Sequence, residues 1–163
     1  MEGRVTALRR NDTAFRWRAV RQRLRGLAAG VRLRGVRERD GVMLRAASGP
    51  QTLLALLAIL QSGARVLPVN PQLPDTLLAA LLPSLSLRHA LILGDDTVCP
   101  DLNSLKLQPL STSYAVDWQP ERLASMTLTS GSTGLPKAAV HSCQAHLASA
   151  EGVLALIPYA GDD

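Results

Sequence analysis

The chain has 163 residues, enough for about one ordinary domain, and its 47% hydrophobic and 19% charged content excludes a mostly disordered chain. Two cysteines exclude a disulfide framework, and the longest apolar run, residues 53–60, is far shorter than the roughly 20 residues of a membrane span. The net charge of +5 conceals an asymmetry, because residues 1–45 hold 13 Arg against four acids while the rest of the chain is acidic overall. This basic start predicts either the solvated face of a helix or a surface for an anionic partner such as nucleic acid.

The first predicted elements are a hairpin and an amphipathic helix. Short strands at 5–9 and 14–16 flank a turn at 11–13, where Asn and Asp tolerate a tight backbone. Between residues 17 and 30 the apolar side chains recur at helical spacing, and Gly30 is expected to end the helix. The Arg side chains fall on the other faces of this helix, so we expect most of the Arg excess to be its solvated face.

The next elements alternate between strands and helices. In chain order they are strand 42–44, helix 50–61, strand 64–69, helix 75–82 and strand 90–93. Ser48 or Gly49 is expected to cap the first of these helices and Gly63 to end it, and Pro83 is expected to end the second. This alternation predicts an α/β fold with a partly parallel sheet and helices packed on its faces. Residues 95–121 are predicted to form a connector with a short strand near 105–107.

A loop of small, hydroxyl and basic residues lies between two further predicted strands, 126–128 and 138–140. Its candidate phosphate-binding residues are Thr129, Ser130, Gly131, Ser132, Thr133, Gly134 and Lys137. Glycines let backbone N–H groups face an anion, the hydroxyls add donors, and Lys137 adds a mobile positive charge. The glycine and lysine spacing fits neither a Walker A loop nor a dinucleotide fingerprint, so the pattern predicts another type of di- or triphosphate site.

The ordered string Thr129–Lys137 closely resembles the phosphate-binding loop of the adenylate-forming superfamily, which includes acyl-CoA synthetases, luciferases and the adenylation domains of peptide synthetases. Residues 15–20 and 60–70 resemble two earlier blocks of that superfamily in the expected order, so the resemblance spans about residues 5–158. Within the superfamily, the chain is most similar to the acid–CoA ligases of menaquinone biosynthesis, through residues 41–46, 51–55, 63–74 and 126–158.

The resemblance implies an ATP-dependent acid–thiol ligase. In such enzymes a carboxylate attacks the α-phosphate of ATP, and the thiol of CoA then displaces AMP from the acyl adenylate. The resemblance implies that the loop holds the β- and γ-phosphates with Mg²⁺ sharing the charge, and that Lys137 is catalytic because it stabilises the leaving pyrophosphate. An aromatic carboxylic acid is the implied acid substrate. Another acyl-CoA synthetase, an adenylation domain and a non-catalytic Arg-rich binding fragment are the alternatives.

The resemblance also implies a domain organisation and a setting. Because the family's chains are considerably longer, residues 1–163 are expected to form an incomplete N-terminal AMP-binding domain, with the C-terminal domain absent. We expect a cytoplasmic protein without a membrane or nucleic-acid partner, and a homo-oligomer of the full-length enzyme is left open.

A helix over 143–157, with Ser142 as its cap, is predicted to follow the loop. His141 and His146 are candidates for a contact with an acyl group or a phosphate, although local hydrogen bonding is the more common role of such residues. Cys99 and Cys143 lie at no metal-ligand spacing, so no metal-binding side chain is predicted.

Overall fold

The computed structural model describes residues 6–10, 13–93, 118–129 and 136–157, with side chains from Val20 onward. The elements, in chain order, are β1 (Thr6–Arg10), β2 (Thr13–Arg16), α1 (Trp17–Leu33), β3 (Gly41–Arg45), α2 (Pro50–Gln61), β4 (Arg65–Val69), α3 (Asp75–Leu81), a 3₁₀ turn (Leu82–Ser84), β5 (Leu87–Ile92), β6 (Leu123–Thr129), β7 (Lys137–Ser142) and α4 (Cys143–Leu156). The predicted connector at 95–121, with its strand near 105–107, lies mostly outside the described residues.

The strands form two sheets. Strands β1 and β2 make an antiparallel hairpin, and the other five make one sheet in the order β5-β3-β4-β6-β7. Strands β5, β3, β4 and β6 run parallel, and β7 pairs antiparallel with β6. This confirms the predicted α/β class with a partly parallel sheet. Since the four parallel strands point the same way, their carboxyl ends all lie at one edge of the sheet.

The core has one apolar layer on each face of the five-stranded sheet. On one face Leu44 and Val66 pack with Ile59 of α2, and all three are fully buried. On the other face Leu67 packs with Met126 and with α3. Neighbouring residues of β4 therefore face opposite layers, as the twofold period of a strand requires. Helix α1 lies outside α2 and buries its own apolar stripe there.

Helix α1 corrects one sequence prediction and confirms another. The helix does not end at Gly30 but continues to Leu33, and Gly35 with φ 90° follows it. A helical Gly costs about 1 kcal/mol, but the apolar residues before Gly30 are buried, and their packing holds the helix past it. Exposed Arg side chains do form the solvated face of α1, as predicted; those described as exposed are Arg21, Arg23 and Arg25.

Gly49, one of the two predicted caps, is the N-cap of α2, without a side-chain hydrogen bond. Other element boundaries differ from their predictions. Helix α3 ends at Leu81, one residue before its predicted end, and Pro83 lies within the 3₁₀ turn that follows. Strand β5 begins at Leu87 rather than Ala90, because alternate residues from Leu87 onward are half-buried and extend the strand backwards. The predictions for Pro50 in the first turn of α2 and for Gly63 after its end are confirmed.

Candidate functional site

The predicted phosphate-binding loop joins β6 to β7. These strands pair antiparallel, and Thr129, the last residue of β6, lies opposite Lys137, the first residue of β7. The Thr129 hydroxyl donates a hydrogen bond of 3.2 Å to the Lys137 carbonyl, which closes the base of the loop. Both side chains are exposed. The structure thus brings together the two ends of the predicted site. The other predicted residues, Ser130, Gly131, Ser132, Thr133 and Gly134, lie outside the described residues.

The base of this loop lies at the carboxyl edge of the parallel strands. Strand β4 pairs with β6 through Val66 and Ser125, so the end of β4 reaches the same edge as Thr129. Ligands of open α/β sheets bind outside the carboxyl ends of the strands, where loops supply the polar groups. The hairpin therefore presents Thr129 and Lys137 at the edge of the sheet where such folds bind their ligands.

Arg45, at the carboxyl end of β3, holds the segment that follows β4. Its guanidinium donates to the carbonyl oxygens of Pro71 (2.8 Å) and Leu73 (2.9 Å) and to a carboxylate oxygen of Asp75 (2.5 Å). The bonds from Arg45 to the two carbonyl oxygens are partly buried, whereas the side chain of Asp75 is 84% exposed. Asn70 begins the segment, and its Oδ1 accepts a hydrogen bond of 2.8 Å from the Gln72 N–H. Arg45 thereby fixes the backbone beside the loop.

Sequence reasoning missed Arg45 and Asn70 as residues of the site edge. Asn70 and Arg45 enter the sequence analysis only within two ranges that carry the family resemblance, 60–70 and 41–46. A polar residue directly after a buried parallel strand indicates a candidate site residue, since such positions lie at the ligand-binding edge of the sheet. The position of Arg45 relative to the segment after β4 depends on strand order, which the sequence pattern did not supply.

The two histidines lie toward the other end of the hairpin. The Nε2 of His146 is 2.8 Å from the hydroxyl oxygen of the buried Ser125, and the His146 ring lies 5.7 Å from the His141 ring. Ser125 precedes Thr129 by four strand residues, about 13 Å along the strand. His146 therefore connects α4 to the sheet and is remote from the base of the loop. Ser142 caps α4 as predicted, accepting from the Ala145 N–H at 3.2 Å.

The amino edge of the sheet carries a partly buried acid, Asp40. The backbone N–H of Arg37 donates to its carboxylate at 2.8 Å, and the Nε2 of His89 lies 3.1 Å from the same oxygen. The hydrogen bond from Arg37 is the main cause that holds the pKa of Asp40 below its ordinary value; His89 and Arg88 act in the same direction, and burial opposes them. Asp40 thus stays ionised and joins the starts of β3 and β5.

The described residues do not fit a magnesium site at the carboxyl edge. The acid identified there, Asp75, is bonded to Arg45. Among the described residues, no three or more His, Cys, Asp or Glu side chains are grouped as metal ligands would be. Carboxylate oxygens are the protein ligands that Mg²⁺ usually takes, so we assign no Mg²⁺ ligand in this part of the chain. Nor is any helix in the described ranges both long and apolar enough to cross a membrane.

Comparison with known proteins identifies the family. A family model described as AMP-binding enzyme matches residues 2–162. The chain belongs to the AMP-binding enzyme family. This family member is 59% identical over all 163 residues to 2-succinylbenzoate–CoA ligase of Salmonella typhimurium and 58% identical to the Escherichia coli ligase of that name. In both cases it spans 36% of the length of the relative.

A solved structure gives the same relationship in three dimensions. Wild-type E. coli MenE, solved with a bound analogue of OSB-AMS, superposes on 95% of this AMP-binding family member with a TM-score of 0.78 and 59% sequence identity. The match covers 34% of the MenE chain. The five-stranded α/β sheet and its helices therefore have the fold of part of an AMP-binding enzyme.

Proposed function

We propose that this chain supplies the phosphate-binding part of an ATP-dependent acid–CoA ligase that converts 2-succinylbenzoate (o-succinylbenzoate) into its CoA thioester in menaquinone biosynthesis. The observation that carries the proposal is identity of 59% to a 2-succinylbenzoate–CoA ligase along the full 163 residues. ATP and CoA are the cosubstrates that this activity requires. Cytoplasmic location, Mg²⁺ and oligomeric state stay predictions.

The geometry supports a role for the β6–β7 hairpin in the adenylation step. When the carboxylate of the acid attacks the α-phosphate, a bond between phosphorus and the bridging oxygen breaks, and negative charge develops on the leaving pyrophosphate. Lys137 carries an exposed ammonium at the base of the loop, and the hydroxyl of Thr129 opposite it donates its one proton to the Lys137 carbonyl. Preorganised donors and cations stabilise such charge most effectively when they are held in place before reaction. The hydrogen bond between Thr129 and the Lys137 carbonyl holds both strand ends in this way.

A chimera tests the proposal. Residues 1–163 replace the matched 36% of the S. typhimurium ligase, so that the remainder of that enzyme completes the polypeptide. We expect pyrophosphate release that depends on ATP and on 2-succinylbenzoate, followed by AMP release that depends on CoA. The Arg21→Ala chimera is the control, because Arg21 is an exposed residue of the solvated face of α1.

The result that refutes the proposal is equally specific. A chimera that unfolds cooperatively, and is therefore folded, but releases pyrophosphate with neither this acid nor any other would remove the phosphate-binding role. Activity with a different aromatic acid or with an amino acid would instead keep the adenylation chemistry and overturn the assignment of 2-succinylbenzoate.

A further inference from the structure

The register of the sheet places Asn70 beside the base of the loop. Strands β4 and β6 run parallel with Val66 paired to Ser125, and the core layers agree with this register because Leu67 and Met126 lie in one apolar cluster. This register, carried four residues further and past the end of β4 at Val69, brings Asn70 level with Thr129. Neighbouring strands are about 4.8 Å apart, so Asn70 and Thr129 are adjacent at the carboxyl edge.

Three polar residues consequently share one face of this edge. Side chains alternate between faces along a strand, so Thr129 lies on the face of Ser125, which is also the face of Val66. The same alternation, continued one residue past the end of β4, puts Asn70 on that face. Lys137 is paired directly opposite Thr129 across the antiparallel strands, and such partners project on the same side. Asn70, Thr129 and Lys137 therefore form a row across three neighbouring strands, and all three are exposed.

The Asn70 amide is oriented with its donors available. Its Oδ1 accepts the hydrogen bond from the Gln72 N–H, which fixes the amide plane and leaves Nδ2 as the group able to reach a ligand. The backbone on which it stands is held by the bonds from Arg45 to the carbonyls of Pro71 and Leu73. A donor that is held in place loses little conformational entropy when it binds an anion.

We propose that Asn70 is a further binding residue of this site: its Nδ2 donates a hydrogen bond to a diphosphate bound between Asn70, Thr129 and Lys137. The proposal rests on the proposed function, because it assigns Asn70 to the same phosphate-binding edge. The ligand class is the pyrophosphate moiety, either within ATP or as the released product.

Equilibrium dialysis of the 163-residue chain against radiolabelled inorganic pyrophosphate tests this, and the method tolerates self-association of the protein. In Asn70→Asp the carboxylate can still accept the Gln72 N–H, but the donors are replaced by a charge that repels phosphate. We expect Asn70→Asp to raise the dissociation constant by at least about tenfold, the scale of one hydrogen bond to a charged group. Gln72→Glu makes the same amide-to-carboxylate change two residues away and should alter the constant by less than about threefold. Circular dichroism verifies that each variant is folded.

The outcomes separate this inference from the proposed function. If Lys137→Ala abolishes pyrophosphate binding while Asn70→Asp binds within threefold of the parent chain, Asn70 is not a ligand and the proposed function stands. If Asn70→Asp and Gln72→Glu weaken binding equally, the effect is general electrostatics and the Asn70 assignment is overturned. If the parent chain does not bind pyrophosphate, both the Asn70 assignment and the phosphate-binding role of this chain are withdrawn.

Discussion

Replacing Gly63 by Ala should destabilise the chain strongly, because two independent costs meet at this residue. Gly63 follows α2 with φ 93°, a conformation that costs an L-amino acid about 1–2 kcal/mol. A Cβ there would lie 2.8 Å from Nη2 of Arg122 and 3.0 Å from Cγ of Glu38. That Nη2 donates to the Gly63 carbonyl, so displacing it weakens a hydrogen bond worth about 1 kcal/mol. The sum is about 2–3 kcal/mol, or a fall in Tm of roughly 5–10 °C for a domain of this size.

Gly35 provides the matched control for this prediction. Its φ is 90°, nearly that of Gly63, but a Cβ there would meet nothing within 4 Å. Gly35→Ala should therefore show the backbone cost alone, about 1–2 kcal/mol. Urea unfolding at low micromolar concentration, followed by circular dichroism, measures both variants. Equal losses at Gly35 and Gly63 would refute the reasoning, since they would show that the contact with Arg122 adds nothing.

Three further predictions concern the chain by itself. Alone, the chain should catalyse no ATP–pyrophosphate exchange with 2-succinylbenzoate, since it spans 36% of the length of its relatives; measurable exchange would contradict this. The chain should self-associate in size-exclusion chromatography, because β5 and β7 are the outer strands of the described sheet and Leu154 on α4 is 55% exposed. Leu154→Asp should shift the peak toward the monomer, and a monomeric peak for the parent chain would show the prediction to be wrong. Asp40 has a depressed pKa, so the stability from its charge is present near neutral pH and is lost as pH falls through its folded pKa. The free energies of unfolding of the parent chain and Asp40→Asn should therefore differ at pH 7 and converge as the pH falls through that pKa, and a constant difference would refute this.

The sequence was most informative where a local signal coincided with the packing. Both ends of α2 agree with their predictions, because Pro50 has a fixed φ that suits the first turn and Gly63 can adopt the positive φ that follows the helix. Gly30 failed as a helix end, because its local preference is weaker than the burial of the neighbouring apolar stripe of α1. Pro83 predicted the end of α3 to within one residue, and a 3₁₀ turn accommodates the proline directly after the helix.

The candidate site also contains residues that the sequence predicts and residues that it does not. Thr129 and Lys137 could be found from the motif, because they lie at the two ends of one loop between adjacent strands. Asn70 could not be placed beside Thr129 from the sequence, because that neighbour relation depends on β4 lying between β3 and β6 in the sheet. The contacts of Arg45 could not be predicted for the same reason, because its partners lie 26 to 30 residues away in the chain. Long-range strand order is set by packing of the whole sheet, which periodicity does not report.

The rates of the two half-reactions in the chimera, with and without Lys137→Ala, test the central claim most directly. Lys137 is proposed to stabilise charge on the departing pyrophosphate, so the variant should lower the rate of acyl-adenylate formation by about 100-fold, a scale typical of losing one preorganised donor or charge. Thioester formation from preformed acyl adenylate should change little, because pyrophosphate has already left. Rapid-quench measurement of both steps gives the answer. An equal loss in the two steps would mean that Lys137 supports the fold or the domain arrangement, and its role at the phosphates would be contradicted.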